Sequence, residues 1–170
     1  MAGAFRLDDY KSSVPKKLWR VIHFESQCRQ DEVTNDIVAA DTTRAIYTKW
    51  SLKQAAEEHF DWFSRRPSCF LSTFSCQKHA RRWAEQRQLK HDHHSIMDEV
   101  YLQEIDTTKL PVDTYVFDAT SLAVRLRIDH PYSDDEFIFL YRIPSASLGR
   151  TWSLGELEER GTYLLSLIMG

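Results

Sequence analysis

The stretch DDEFIFLYRIP, residues 134–144, decides how the chain is read. From Glu136 to Ile143 both alternate faces are largely apolar, which predicts a strand buried on both sides. Pro144, which has no backbone N–H, ends it. Working outward, LWRVIHF (18–24) and CFLSTF (69–74) are short runs of aromatic and aliphatic residues with strand character, and EVYLQEI (99–105) is a third. YVFDA (115–119), after Pro111, makes a further strand, with SLAVRLRI beyond it. Between them, Ser51 followed by Gln54 has capping-box form, and Leu52, Ala55, Ala56, His59, Phe60 and Phe63 recur at helical spacing. That helix is expected to stop before Arg65-Arg66-Pro67. Ser75 is the expected N-cap of a second helix, with Cys76, Ala80, Trp83 and Ala84 on its apolar side. Strands mixed with isolated helices, without a βαβ rhythm, give an α+β fold.

The 170 residues suit one domain with a single core. Residues 1–15 are polar and read as a lead-in, and residues 16–170 as the domain. With 42% hydrophobic and 28% charged residues the composition is that of a globular protein, not a disordered one. A formal charge of −3 supplies no footprint for nucleic acid, and no apolar run approaches the roughly 20 residues that span a bilayer. Cys28, Cys69 and Cys76 form neither a CxxC pair nor a zinc spacing. Their odd number fits a reducing, intracellular (cytoplasmic) setting, as does an opening without a secretory h-region.

Three places hold polar residues where apolar ones are expected. Asp134, Asp135 and Glu136 stand at the entrance to the apolar strand, and strict alternation puts Asp134 and Glu136 on one face with Asp135 on the other. Two carboxylates on one face divide acid, base and electrostatic work in glycoside chemistry; they also read as an acidic turn before a strand. Arg20 lies inside the first strand between Trp19 and Val21. It needs an anionic partner there, because its charge cannot be lost, unless it snorkels from an edge strand. Ser72 and Thr73 put hydroxyls in the middle of CFLSTF, where such groups also simply bond neighbouring backbone.

In this order the three places resemble the catalytic subunits of mono-ADP-ribosyltransferases of the cholera, pertussis and heat-labile enterotoxin type. LWRV (18–21) looks like that family's first-strand Leu/Val-Tyr-Arg motif, with Arg20 in the arginine place. SCFLSTFSCQKHARRWAEQR (68–87) resembles its Phe-Val-Ser-Thr-Ser strand and following helix, and EVYLQEI its Tyr-Val-Tyr-x-Ile strand. DDEFIFLYRIPSASLGRTW (134–152) resembles its Glu-x-Glu strand. A group of domains in filamentous fungal proteins looks akin as well. The chain departs from the toxin pattern at Asp134, where the family has its first glutamate, and at Phe74, where it has the second serine. The family's glycine after the first strand is missing around Ile37-Val38-Ala39.

The resemblance implies an ADP-ribosyltransferase-like fold, two small sheets with flanking helices around an NAD cleft. It implies an enzyme that cleaves the nicotinamide–ribose bond and transfers ADP-ribose to a protein side chain, arginine among the candidates. NAD glycohydrolysis and a degenerate binding module are the other readings. Glu136 is then expected to stabilise the oxocarbenium-like centre, Ser72 to buttress it, and Asp134 to orient the acceptor. Arg20 is expected to hold the pyrophosphate or adjacent ribose and Phe74 to cover the nicotinamide, with Thr73 and His23 as further nucleotide-binding candidates. The family's histidine between the arginine and serine strands corresponds to His59, which helical periodicity places equally well on the helix face. No metal is expected: HDHH (91–94) has no supporting distant ligands. Arg65-Arg66 reads as a helix-end charge pair, His79, Arg81 and Arg82 as a solvated helix face, and Cys69 as a thiol without an activating base.

Overall fold

A computed structural model describes residues 4–23, 26–61, 63–91, 100–129 and 134–160. The run from Glu136 to Ile143 is not one strand but two. Strand β7 covers Glu136–Leu140, Tyr141 takes a left-handed φ of 64°, and β8 continues over Arg142–Ile143 in a different sheet. A φ that few non-glycine residues adopt turns the chain from one sheet to the other.

The larger sheet is antiparallel and six-stranded, in the order β6 (Val116–Asp118), β7, β4 (Phe70–Phe74), β1 (Lys17–Ile22), β5 (Tyr101–Asp106), β9 (Leu148–Ser153). The smaller sheet joins β2 (Arg29–Gln30), β3 (Ile37–Val38) and β8. Three α-helices are described, α1 (Lys49–Phe60), α2 (Gln77–His91) and α3 (Ala119–Leu126), together with three short 3-10 turns. This is the expected α+β architecture.

Alternation along the strands sorts the core. Phe70, Ile138 and Leu140 pack under α1 and α3, while Trp19, Val21, Phe74, Leu102 and Trp152 pack beside α2. The opposite face carries Leu18, Leu71, Ile105, Phe137 and Phe139 against Ile37 and Ile143 of the smaller sheet. Phe5, Leu7 and Tyr10 of the opening segment lie against the α1–α3 side, and the Ser12 amide donates to the Val116 carbonyl.

Several local expectations shift. The N-cap of α1 is Thr48, not Ser51: Thr48 Oγ1 accepts from the Ser51 amide while Ser51 Oγ accepts from the Thr48 amide. The helix stops at Phe60, well before Pro67, with Asp61 as its C-cap. The first turn of α2 begins from the Cys76 carbonyl, which accepts from Ala80, rather than from Ser75. SLAVRLRI belongs largely to α3, whose N-cap Asp118 accepts from the Ser121 amide.

The sheet has a seam. Strand β1 pairs with β5 from Lys17↔Asp106 to Ile22↔Tyr101, and β4 pairs with β7 from Phe70↔Leu140 to Phe74↔Glu136. Between β1 and β4 the only register pair is Trp19↔Phe74. Beyond that pair the two strands splay apart, and the splay opens the cavity described next.

Candidate active site

The cavity, about 620 Å³, is bounded by β1, β4, the first residue of β7, α1, α2 and the loop that leads to Pro67. Such a volume suits a small-molecule ligand. Arg20, Ser72, Phe74, Glu136 and His23 all reach it. Residues as many as 116 positions apart, Arg20 and Glu136, are therefore brought together by the antiparallel pairing of β1, β4 and β7.

Arg20 is only 7% exposed. Its Nη1 donates to the Ser72 carbonyl at 2.8 Å, a backbone acceptor that a continuous ladder would leave to a strand amide. Its Nε has no hydrogen-bond partner among the described residues, nor does any carboxylate there pair with it. Gln103, its register partner on β5, spends its amide on β9 instead: Nε2 donates to the Gly149 carbonyl and Oε1 accepts from Thr151. A buried guanidinium without an anion is costly.

Glu136 opens β7 facing the cavity. Burial pushes its carboxyl above the ordinary glutamate value of 4.5; a hydrogen bond from Ser72 pulls the other way, the Asp135 charge adds to the rise and His79 opposes it. Ser72 is held in turn by His59, whose Nε2 lies 2.9 Å from the Ser72 hydroxyl and whose Nδ1 lies 2.7 Å from that of Ser68. The chain of Ser68, His59, Ser72 and Glu136 runs from α1 and its following loop across β4 to β7. His59 thus leaves the plain helix-face role that periodicity allowed it.

Phe74 forms part of the wall with two residues of α2. Its ring centroid is 5.0 Å from that of His79 and 6.5 Å from that of Trp83, whose ring also carries the Arg87 guanidinium at 4.5 Å. His23 follows directly after β1, so strand alternation no longer sets it opposite Arg20 and both reach the cavity.

Three expectations land elsewhere. Thr73 is fully buried on the other face of β4, its hydroxyl donating to the Phe137 carbonyl at 2.8 Å. Asp134 is exposed in the turn before β7 and does not line the cavity. Because the strand starts only at Glu136, alternation does not fix Asp135 either: its Oδ1 accepts at 2.6 Å from Nδ1 of His79, which lines the cavity. His79 is accordingly not part of a solvated helix face, although Arg81 is, paired with Glu85.

The remaining candidates carry little chemistry. Burial pushes the Cys69 thiol up to about 11, which leaves it protonated and inert. Arg66 shares Glu58 with Arg44 in an ion-pair cluster. Of HDHH, His91 closes α2 and residues 92–94 lie outside the described residues, and among those described no His, Cys, Asp and Glu groups converge as metal ligands. No described helix is long and apolar enough to cross a membrane.

Comparison with known proteins agrees with the fold. The solved chain EcPltA, an ADP-ribosyltransferase-like toxin subunit, superposes with a TM-score of 0.52 at 14% identity, covering 81% of this chain and 75% of that one. The fold is therefore ADP-ribosyltransferase-like. No protein of curated function matches by sequence. Residues 13–157 do match a family described as Domain of unknown function (DUF7587), and that span makes the chain a member of the DUF7587 family.

Proposed function

We infer that the cavity binds NAD and that the protein cleaves its nicotinamide–ribose bond, passing ADP-ribose to a protein side chain. The observation that carries this reading is Arg20, a buried cation with no carboxylate partner among the described residues, lining the same cavity as a half-buried carboxylate, Glu136. A pyrophosphate would supply the missing anion, to which a guanidinium donates through its planar fork. The orphaned Arg20 Nε is the specific sign that the site fits such a group.

Glu136 opposes the positive charge that develops at the ribose as the bond breaks, the electrostatic work expected of a preorganised carboxylate. Ser72 donates to Glu136 and is itself fixed by His59, so the carboxylate keeps its aim without reorganising. Phe74 offers a ring face for nicotinamide, backed by Trp83. Asp134 is exposed in the turn directly before Glu136 and outside the cavity lining, so in this reading it is open to an incoming protein acceptor.

That same exposure favours a second reading, in which water is the acceptor and the protein is an NAD glycohydrolase. Incubation with NAD labelled in the adenylate half decides between them. Transfer reads out as labelled protein together with free nicotinamide, hydrolysis as nicotinamide and free ADP-ribose alone. Neither product, with no heat of NAD binding, would leave the fold as a binding module for another ligand.

A further inference from the structure

His79 borders the cavity with Asp135 bonded to it, and the pair has no part in the reaction as described so far. Asp135 precedes Glu136 in the chain, and its carbonyl accepts from the Ser75 amide at 2.8 Å, which ties the turn before β7 to the approach of α2. Two turns of structure are thereby locked so that a histidine from one meets a carboxylate from the other. The carboxylate only accepts, so Nδ1 of His79 carries the proton in the 2.6 Å contact. Nε2 then presents its lone pair, and the imidazole is fixed in one tautomer with its ring against Phe74.

We propose that His79 is the general base of the NAD-cleaving reaction, taking the proton of the nucleophile that attacks the ribose, with Asp135 as the residue that positions it. The proposal rests on the NAD reading given above. In the step, the C1′–N bond breaks and its electron pair leaves with nicotinamide, neutralising the pyridinium. Water supplies the new C1′–O bond, and its proton goes to Nε2 of His79. Glu136 stays ionised throughout, opposing the charge at C1′. Two ionisable groups side by side then do two different things, one taking a proton and one supplying a field.

Azide tests this, because it attacks carbon without losing a proton. His79→Ala should retain NAD binding by calorimetry and release nicotinamide about 100-fold more slowly, the scale of a lost general base. Sodium azide should then restore the rate at least tenfold, with azido-ADP-ribose identified by mass. Glu136→Gln should be slow and gain nothing from azide. If His79→Ala proves unfolded, His79→Gln and Asp135→Asn serve in its place, the latter expected to lose about tenfold and to respond to azide in the same way. An undiminished His79→Ala rate overturns the proposal and leaves the NAD reading intact, as does a slow variant that binds NAD but ignores azide. A wild-type protein that releases no nicotinamide overturns the NAD reading and the proposal with it.

Discussion

Nε2 of His59 lies 2.9 Å from the hydroxyl of Ser72, so the last turn of α1 controls the strand that faces Glu136. The ring bridges Ser72 and Ser68, and a bridge of this kind couples its members energetically. The double-mutant cycle of His59→Ala and Ser72→Ala should give an interaction free energy of about 1 kcal/mol or more in chemical denaturation, against near zero for independent sites.

Ser72→Ala should also move the titration of Glu136. The bond from Ser72 favours the ionised carboxylate, and its loss lets burial push the carboxyl higher still. The acid limb of the nicotinamide-release profile is expected to shift to higher pH. A limb that stays in place would mean that Ser72 does not touch the ionising group.

Glu136→Gln keeps the volume and removes the charge. Nicotinamide release should fall about 100- to 1,000-fold, the scale of a lost preorganised electrostatic contact. Stability should move the other way. A carboxyl raised in the folded state holds its proton more tightly than the unfolded chain does, so ionising it destabilises the fold progressively from the ordinary value of 4.5 up through the raised one. The variant is therefore expected to melt above the wild type at pH 8, with the difference closing towards pH 4. Differential scanning calorimetry at the two pH values checks the sign.

Arg20→Ala should weaken NAD binding by about 2 kcal/mol or more, near 30-fold, because a charge-assisted contact is lost. Titration calorimetry on the two proteins measures it. Equal affinity would show that the anion sits elsewhere.

Asp134→Ala separates the two reactions. Aspartate is one methylene shorter than the glutamate that the toxin family carries, a retreat of roughly 1.5 Å. If Asp134 still orients a protein acceptor, its loss should abolish protein labelling and spare nicotinamide release. A parallel fall of both would assign Asp134 to the NAD side. EDTA should change neither, and inhibition by it would bring the residues around His91 back as metal ligands.

Much of this arrangement was legible from residue order. Arg20, Ser72 and Glu136 stand out because each is polar inside an apolar strand, and pairing alone brings such anomalies together. The break at Tyr141 was hidden, since nothing in EFIFLYRI departs from strand composition and a left-handed tyrosine has no sequence signature. His59 was ambiguous because a residue at the rim of a helical face satisfies the core and the cavity by the same spacing. Alternation does not govern Asp134 and Asp135, because both lie in the turn before β7 rather than in the strand. Thr73 shows alternation succeeding where the motif did not: adjacent to Ser72, it must face the other way.

The single pairing of β1 with β4, Trp19↔Phe74, makes the sheet two three-stranded leaves bound at one stitch. Each leaf keeps its own ladder, so a change in the angle between them would leave those ladders intact. The Arg20–Ser72 contact is a clasp across that opening, made by a side chain and hence releasable. A ligand that draws the guanidinium towards itself would change the angle between the leaves. Entry of the ligand and the gape of the sheet would then be one event, visible as altered amide hydrogen exchange along Phe70–Phe74 and Lys17–Ile22 while the outer strands stay unchanged.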